Sequence, residues 1–320
     1  MEKTEDKKYR IVFIIVNWNK KELVSRCLAS IASLITYPHK IVIIDNNSSD
    51  GSPEMIHSDY PDVDLILNTS NLGFSIASNQ GLAYCSDNNI MSDYIVFLNN
   101  DVVLKDDSLL RLIDYLDKKP EVQAALPTVF LDDGTFQTGV GGYELSLQTA
   151  FSYFFFLSGL FPKYFKGFFI SQNYFRKKGL IPMLDWISGV CLVVRGDVMR
   201  KISGFPGHFF MYAEDIALCR ELRVMGKIVY YPYAQVYHMK QYSAEQSRPG
   251  LWLESIFRYY QMISGTKENS WRLRALKLIF LTGLGARLVG ISLFPLAFRH
   301  HKVQNISALK KYVFYILKNI

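Results

Sequence analysis

Cysteine is scarce in this chain, and the few positions it occupies exclude two kinds of stabilising site. Among 320 residues there are four, Cys27, Cys85, Cys191 and Cys219, with no C-x-x-C spacing. Neither a zinc site nor a disulfide framework is therefore indicated. The first ten residues are polar and charged and lack the apolar core of a signal peptide. From these absences we expect a reducing, cytoplasmic location.

Three functional motifs are also missing. The turn after the first apolar run reads Asn17-Trp18-Asn19 and has no G-x-G-x-x-G, which argues against a dinucleotide oxidoreductase. The same turn lacks the Gly-rich, Arg-bearing loop expected of a nucleotidyltransferase. No base-reading motif accompanies the basic residues, so we expect no nucleic-acid partner.

Acidic residues are almost absent from the C-terminal region. Residues 258–320 contain eleven Lys and Arg but one acid, Glu268, although the net charge of the whole chain is only +7. The same region includes the apolar stretch 278–298, which Arg287 and Pro295 interrupt. A basic, apolar segment beside an acidic body is typical of attachment to a membrane surface without crossing it. An amphipathic helical pair packed on the catalytic domain is the alternative.

Through the first 120 residues, continuous apolar runs alternate with stretches of helical periodicity. An unbroken apolar run is typical of a strand buried on both faces. Strands that alternate with helices at this spacing predict βαβ units and a mostly parallel sheet, so the fold class is α/β. The predicted strands are 11–16, 40–44, 64–67, 94–98, 190–194 and 228–231, and the predicted helices include 74–85, 105–118 and 215–225.

Polar residues follow the first two predicted strands. Asp45 comes directly after the second strand, at the same sheet edge as Asn17 and Asn19. A carboxylate there can accept hydrogen bonds from a nucleobase imide or a ribose hydroxyl, although an Asx-turn that caps the loop explains Asp45 equally well. Further on, Asn71 and Gly73 lie in a turn that lets the backbone approach a ligand closely.

Asn99-Asn100-Asp101 ends the fourth predicted strand and indicates a metal site. Asp101 lies several residues too early to cap the next helix. A hard divalent ion that holds a nucleotide diphosphate needs only one or two protein carboxylates. His238 can supply a further ligand, although a lone His near a strand end is more often structural.

Glu214 and Asp215 open a predicted helix after an aromatic run. Acids in a first turn gain about 0.3–1 kcal/mol from the helix dipole, which is the structural explanation. Two adjacent acids in such an aromatic setting favour a functional role. Arg220, on a later turn, either orients these acids or faces solvent.

Six motifs, spread in order over roughly residues 9–240, resemble those of bacterial family 2 glycosyltransferases of the rhamnosyltransferase-like group. They are Ile15-Val16-Asn17-Trp18-Asn19, Ile44-Asp45-Asn46-Asn47-Ser48-Ser49-Asp50-Gly51-Ser52, Asn71-Leu72-Gly73-Phe74 with Asn79 and Gly81, Leu98-Asn99-Asn100-Asp101-Val102, Trp186-Ile187-Ser188-Gly189, and Glu214-Asp215 with Leu218 and Arg220.

This resemblance implies a GT-A fold, a nucleotide-sugar donor, a divalent ion (Mg²⁺ or Mn²⁺) and inversion at the anomeric carbon. It makes Asp215 the general base, supported by Glu214, and it assigns base recognition to Asp45. The family's metal motif often begins with Asp where this chain has Asn99, which leaves Asp101 as the main anionic ligand. The implied donor-binding residues are Asn17, Asn19, Asp45, Asn71, Gly73, Asn79, Asn99 and Asn100; the acceptor-side residues are Trp186, Gly189 and Arg220; the metal ligands are Asp101 and His238.

The expected function is sugar transfer in cell-surface polysaccharide synthesis. The resemblance favours L-rhamnose from dTDP-L-rhamnose as the donor sugar and a saccharide or lipid-linked saccharide as the acceptor. The alternatives are transfer of another sugar, which can be a hexose, another deoxysugar or galactofuranose, and a non-catalytic membrane-bound carbohydrate-binding protein on a degenerate GT-A fold. We expect a catalytic domain over residues 1–255 and a helical, membrane-associating region over residues 256–320. The sequence does not indicate an oligomeric state.

Overall fold

The structure is a computed structural model that describes residues 7–239, 250–268, 270–293 and 303–318. The chain forms two compact units. The first comprises Met1–Gly141, Gln172–Phe210 and Glu214–Lys240, and the second comprises Gly142–Ser171, Met211–Ala213 and Gln241–Ile320. The second unit therefore includes a segment from the middle of the chain. A functional boundary at residue 255 stays a prediction.

The first unit contains a mixed sheet flanked by helices. Its elements are β1 (Lys7–Asn17), α1 (Lys21–Leu34), β2 (His39–Asp45), α2 (Ser52–Asp59), β3 (Asp64–Leu67), α3 (Gly73–Asp87), β4 (Ile90–Leu98), β5 (Val102–Val103), α4 (Ser108–Asp117) and β6 (Val122–Leu131). After the two-residue strand β7 (Gly141–Gly142) and the helices α5 (Leu147–Phe154) and α6 (Leu157–Leu160) come α7 (Gln172–Lys178), β8 (Met183–Leu184), β9 (Trp186–Ile187), β10 (Cys191–Arg195), α8 (Gly196–Met199), α9 (Glu214–Met225) and β11 (Lys227–His238).

In the described residues the main sheet has nine strands in the order β3-β2-β1-β4-β10-β6-β11-β5, with β8 also paired to β11. The pairs β3–β2, β2–β1, β1–β4 and β6–β11 are parallel, and β10 runs antiparallel to both β4 and β6. Six strands therefore share one direction, which confirms the predicted mostly parallel α/β sheet. The insertion of an antiparallel strand at its centre was not predicted.

Burial explains why these segments form strands. The β1 residues from Ile11 to Ile15 are at most 2% exposed, and Val42, Ile43 and Ile44 of β2 are fully buried. Apolar side chains on both faces of a strand require helices on both sides of the sheet. The buried stripe of α1 has helical spacing and consists of Leu23, Val24, Cys27, Leu28 and Ile31.

β11 is longer than predicted. The strand expected at 228–231 continues to His238, although Pro232 lies within it. The pairing of β11 with β6 shifts register between Tyr231 and Gln235, so the proline lies at an irregularity where no ladder hydrogen bond is needed. The extension has a functional consequence because it carries His238 to Val102, beside the end of β4.

The second unit is helical. Besides α5 and α6 it contains α10 (Leu251–Ser264), α11 (Trp271–Leu293) and α12 (Val303–Lys318). A Cβ atom on Gly283 of α11 would lie 2.3 Å from the Cβ of Phe154, so the two helices touch at this glycine. Phe154 and Phe280 are buried here, and their ring centroids are 4.5 Å apart.

Arg287, which interrupts the apolar stretch 278–298, has internal partners. Its Nη2 donates to the carbonyl oxygen of Tyr153 at 3.1 Å, and its guanidinium lies 4.4 Å from the centroid of the Tyr153 ring. Across the described ranges, no helix combines the length and apolar character that membrane crossing requires. The last part of the stretch, residues 294–298 with Pro295, lies outside the described residues.

Candidate active site

A hydrogen-bonded chain of side chains crosses the carboxyl ends of β2, β1 and β4. Asn17 Nδ2 donates to Asp45 Oδ2 at 2.8 Å, and Asn100 Nδ2 donates to Asn17 Oδ1, also at 2.8 Å. The parallel register pairs Asn17 with Asp45, so both residues reach the same edge of the sheet. Open α/β sheets bind their ligands at this edge. The structure therefore brings three of the predicted donor-binding residues together.

The Asp45 side chain is hydrogen-bonded mainly to the loop that follows it. Besides Asn17, its carboxylate accepts from the backbone N–H of Ser48 at 2.7 Å and from the Ser48 hydroxyl at 2.7 Å. The side chain is deeply buried, since the residue is 1% exposed. The turn with Ser48 and the bond from Asn17 account for the side-chain hydrogen bonds of Asp45 described here, and its recognition of a nucleobase stays a prediction. Ser48, which the motif contained but which was given no role, is the residue that organises this loop.

Asn19 joins the loop after β1 to the loop after β2. Its backbone is left-handed, with φ of 49°. The Oδ1 atom accepts from the backbone N–H of Ser49 at 2.7 Å, and its own backbone N–H donates to the Ser48 hydroxyl at 2.9 Å. Because Asn tolerates this backbone conformation better than most residues, its identity here has a local explanation.

The predicted close-approach turn is present before α3. Asn71 Oδ1 accepts from the backbone N–H of Gly73 at 3.0 Å, and Gly73 has φ of 81°. A Cβ atom on Gly73 would lie 2.3 Å from the carbonyl oxygen of Phe210, which accepts a hydrogen bond from Phe74. Both the conformation and the contact therefore require glycine. In this structure the segment that Gly73 approaches is part of the protein.

We expect Gly73→Ala to destabilise the protein by more than Gly134→Ala, which is its matched control. Both glycines have left-handed backbones, with φ of 81° and 78°, but nothing lies within 4 Å of a Cβ at Gly134. Each substitution incurs the conformational cost of about 1–2 kcal/mol. Only Gly73→Ala adds a clash with backbone, worth about 1–3 kcal/mol more. Urea unfolding measures the difference, and equal losses would contradict the tight contact at Gly73.

Asn79 has a structural use. Its Nδ2 donates to the carbonyl oxygen of Phe205 at 2.8 Å, and its Oδ1 accepts from the N–H of the same residue at 2.8 Å. The amide therefore clamps the backbone of Phe205 from both sides. These two bonds explain an asparagine at this position without a ligand, and its donor-binding role stays a prediction.

The two predicted metal ligands lie side by side. Asp101 Oδ1 is 2.7 Å from His238 Nε2, and Asn99 Nδ2 is 3.4 Å from the same nitrogen. The other ring nitrogen of His238, Nδ1, is 2.7 Å from Oε1 of Gln137. Sequence reasoning missed Gln137, because it lies 101 residues from His238 in a segment without periodicity. His238 is 5% exposed and Gln137 is 7% exposed.

These residues fit a divalent cation. In the tautomer that carries its proton on Nδ1, His238 donates to the Gln137 oxygen and turns the Nε2 lone pair toward Asp101, which is the arrangement of a metal ligand. A hydrogen bond to the outer nitrogen is also how proteins orient metal-binding histidines. In the described part of the chain no group of three or more His, Cys, Asp or Glu side chains is placed to hold a metal ion. Among the described residues, the predicted ligand set is therefore the Asp101 carboxylate and the His238 imidazole.

Asp215 and Glu214 begin α9, and the loop after β9 contacts them. Gly189 N–H donates to Asp215 Oδ2 at 3.2 Å, and Ile216 N–H donates to Asp215 Oδ1 at 2.8 Å. Next to Gly189, the carbonyl oxygen of Val190 accepts from the N–H of Asn99 at 3.1 Å. Two consecutive loop residues, Gly189 and Val190, therefore link Asp215 to Asn99 at the end of β4.

Burial separates the protonation states of the two acids. It raises the pKa of Asp215 to about 6, against the opposing effect of the Gly189 hydrogen bond. Burial, with the neighbouring charge of Asp215, raises the pKa of Glu214 well above its ordinary range. In the described structure Glu214 Oε2 is buried and makes no hydrogen bond. Within the pair, the proton therefore favours Glu214 and the negative charge favours Asp215. Asp215 keeps partial solvent exposure, which a base that meets an acceptor needs.

The remaining acceptor-side residues have different environments. Trp186 is 2% exposed, so its ring packs beneath the surface. Gly189 faces Phe74, whose ring atoms would lie 3.2 Å from a Cβ at this position. Arg220 is exposed on α9, one turn beyond the acidic pair. Contact of these residues with an acceptor stays a prediction.

Comparison with protein families and curated proteins gives consistent matches. The model of glycosyl transferase family 2 matches residues 12–177, which is more than half of the chain. An N-acetylglucosaminyl-diphospho-decaprenol L-rhamnosyltransferase of Mycobacterium tuberculosis is 27% identical over 240 residues, covering 72% of this chain and 76% of the relative. The rhamnosyltransferase WbbL of Escherichia coli K12 is 27% identical over 259 residues, covering 78% and 92%.

Solved structures show the same fold at low identity. A mannosyltransferase from Pyrobaculum calidifontis, in complex with GDP-Man and Mn²⁺, matches with a TM-score of 0.57 at 14% identity, over 99% of this chain and 90% of that one. Staphylococcus aureus TarS 1–349, in complex with UDP-GlcNAc, matches with a TM-score of 0.54 at 14% identity, over 96% and 81%. The predicted GT-A type of α/β fold is confirmed.

Proposed function

The chain belongs to glycosyl transferase family 2, and on this basis we propose that it is an inverting glycosyltransferase that moves L-rhamnose from dTDP-L-rhamnose to a lipid-linked saccharide. Its membership of the rhamnosyltransferase-like group rests on the family match and on relatives that cover most of the chain. The observation that carries the mechanism is that Gly189 bonds to Asp215 while the adjacent Val190 bonds to Asn99 at the end of β4, where Asp101 meets His238 of β11.

Asp215 is the base in the proposed reaction. Its carboxylate removes the proton from the acceptor hydroxyl as that oxygen attacks the anomeric carbon. The glycosidic bond to the nucleoside diphosphate breaks on the opposite face, so the configuration inverts. Glu214, which keeps its proton, leaves the negative charge of the pair on Asp215. No covalent enzyme intermediate is needed.

Asp101 and His238 would hold a divalent ion, Mg²⁺ or Mn²⁺. When bound, the ion would neutralise charge that develops on the departing diphosphate. Asp101 contributes the anionic oxygen, and Gln137 orients the imidazole of His238 through Nδ1. Asn99 and Asn100 lie on the same turn and complete the polar edge that faces the donor. The P. calidifontis neighbour, which was solved with GDP-Man and Mn²⁺, supports a divalent ion in this fold.

The relatives support the choice of donor and acceptor. One transfers L-rhamnose to N-acetylglucosaminyl-diphospho-decaprenol according to its name, and a second is named as the O-antigen chain rhamnosyltransferase RfbN of Salmonella typhimurium. A lipid-linked acceptor and a role in cell-surface polysaccharide synthesis fit both names.

A donor panel tests the proposal. Purified protein is incubated with Mn²⁺ and dTDP-L-rhamnose, UDP-GlcNAc or GDP-mannose, and the thermal midpoint is measured. A donor at about 100 times its Kd stabilises the protein by about 2.7 kcal/mol. We expect dTDP-L-rhamnose to give the largest shift and to release dTDP when a polyprenyl-diphospho-GlcNAc acceptor is added. Stabilisation by another sugar nucleotide would reassign the donor. Donor binding with no diphosphate release from any acceptor would indicate a binding protein.

Transfer should depend on the protonation of Asp215. Because the base acts as a carboxylate and burial raises the pKa of Asp215 to about 6, kcat/KM should rise with pH through an apparent pKa near that value. One unit below it, kcat/KM should fall about tenfold. Intrinsic fluorescence at each pH serves as the control that the protein stays folded. A flat profile between about pH 4.5 and 7.5 would contradict the assignment of the base.

We also propose that the region 256–320 associates with the cytoplasmic face of the membrane without crossing it. Its excess of basic residues and the exposure of Trp271 and Leu278 on α11 support this location. The same helix supplies core residues to its unit, since Leu273, Leu276 and Phe280 are at most 1% exposed. Truncation before Trp271 would therefore remove core as well as surface, and substitutions of exposed residues make the better test.

A further inference from the structure

Six large apolar side chains between residues 151 and 165 are exposed in the second unit, and we name this group the aromatic surface. Their exposures range from 37% to 75%. The stacked pair Phe151 and Phe155 has ring centroids 4.4 Å apart. The six residues are Phe151, Phe155, Leu160, Phe161, Tyr164 and Phe165.

The aromatic surface is separate from the core of its unit. On α5, Ala150 and Phe154 are fully or almost fully buried, and Phe168, just beyond the surface, is 0% exposed. The buried face of α5 contacts α11 at Gly283. The inner side of this segment therefore already has its packing partners, while the outer side presents rings to the surroundings. The exposed rings form two clusters, the Phe151–Phe155 pair and the Phe161–Phe165 pair, whose centroids are 4.4 Å and 6.4 Å apart. Exposed apolar patches on a protein mark contact with a protein or a membrane.

Charge distinguishes a membrane from a protein partner. Lys163 and Lys166 lie within the aromatic surface, and their ammonium groups are 5.6 Å from the ring centroid of Tyr164 and 4.8 Å from that of Tyr143. Between Glu144 and Asp185 the sequence contains no acid. The buried centre of a protein interface is depleted of lysine. Aromatic rings interleaved with lysines, by contrast, are typical of segments that lie at the boundary between lipid headgroups and acyl chains.

Helix α11 presents a second apolar stripe. Trp271, Leu278 and Val289 are 69%, 55% and 56% exposed. Separations of 7 and 11 residues place them within about 20° of one another around a helix of 3.6 residues per turn. The helix contains four basic residues and no acid. A surface that combines apolar side chains with positive charge complements an anionic bilayer.

We propose that the aromatic surface inserts into the interface of an anionic lipid bilayer and that this insertion, together with α11, brings the enzyme to an acceptor embedded in the same membrane. The proposal rests on the proposed function for the acceptor, but the binding itself does not require catalysis. The shallow depth of interfacial insertion, about 5–10 Å, suits single side chains projecting from α5 and the segment after α6.

Vesicle binding of the full-length protein tests the proposal. Flotation is measured with vesicles of phosphatidylcholine and with vesicles that also contain phosphatidylglycerol. We compare wild type with the triple variant Phe161→Ser, Tyr164→Ser, Phe165→Ser. The matched control is Leu67→Ser, Met183→Ser, Val224→Ser, which removes apolar side chains of 62%, 60% and 85% exposure from the first unit.

We expect the triple variant to lose at least tenfold in binding to anionic vesicles, with the control within twofold of wild type. Lys163→Gln with Lys166→Gln should lower anionic-vesicle binding by about fivefold per charge. It should leave binding to neutral vesicles unchanged. The proposal would be overturned if wild-type binding did not depend on the anionic lipid, or if the triple variant bound vesicles as well as wild type.

A variant that adds a fluorescence signal keeps the test decisive even where the triple variant misfolds. Phe161→Trp is conservative, and its added fluorescence should be quenched by brominated lipid, whereas Leu67→Trp should not be. Absence of quenching at position 161 would overturn the proposal. Transfer to a water-soluble acceptor separates this result from the enzymatic function, since the triple variant should keep that activity within twofold. If no transfer occurred with any acceptor, vesicle binding would still report on the aromatic surface.

Discussion

Replacement of Asp215 by Asn is expected to lower transfer by about 10²–10⁴-fold while affinity for the nucleotide sugar stays within about twofold. Asparagine has nearly the same shape, and its amide oxygen can keep the hydrogen bond from Gly189. It cannot accept the acceptor's proton. Donor binding should survive because Asp101 and His238 hold that end of the substrate. Single-turnover rates and calorimetric titration with the donor measure the two quantities separately.

Glu214→Gln is the contrast to that experiment. Because the proton of the pair favours Glu214, glutamine keeps the size of this side chain and the charge of its protonated form. We expect a loss of no more than about tenfold, far smaller than the loss at Asp215. If Asp215→Asn kept more than about a tenth of wild-type turnover, Asp215 would not be the base. If Glu214→Gln were the more damaging change, the roles of the two acids would be reversed.

Asp101→Ala should weaken binding of the nucleoside diphosphate by at least tenfold and make the remaining binding insensitive to EDTA. The reason is that Asp101 supplies the anionic oxygen 2.7 Å from His238. Calorimetry with and without Mn²⁺ measures both effects, with Asp132→Ala on an exposed turn as the control. If the wild-type protein were fully active in chelator, cationic side chains rather than a metal ion would have to neutralise the diphosphate.

Gln137→Met extends the same test to the partner of the histidine. Loss of the hydrogen bond to Nδ1 leaves the ligands in place but frees the ring, and such changes lower metal affinity by about 10–100-fold. Binding of nucleoside diphosphate without metal should not change. An unaltered Mn²⁺ affinity in this variant would show that Gln137 does not orient the metal-binding imidazole.

Local patterns in the sequence determined the first half of the sheet and its functional edge. Strands buried on both faces must be continuously apolar, so β1, β2 and β4 were visible as runs that end abruptly in polar residues. The parallel direction of these strands places Asn17, Asp45 and Asn100 at one edge. The acidic pair Glu214-Asp215 was recognisable for a different reason, because two carboxylates directly after an aromatic run are unusual. These features sufficed for the fold class and the family, and they predict the base.

Only the tertiary structure decided how each of these residues is used. Asp45 binds Ser48, and Asn79 binds the backbone of Phe205. Sequence periodicity does not determine these partners, because they depend on the path of the loops. Gln137 meets His238 across 101 residues, through a strand whose length the sequence pattern underestimated at Pro232. The pairing of α5 with α11 also joins segments that are far apart in sequence. In the sequence Arg287 interrupts an apolar stretch, but in the structure it donates a hydrogen bond to the Tyr153 carbonyl inside the helical unit. Contacts between segments far apart in sequence follow from the packing of the whole chain, and no local window of residues contains them.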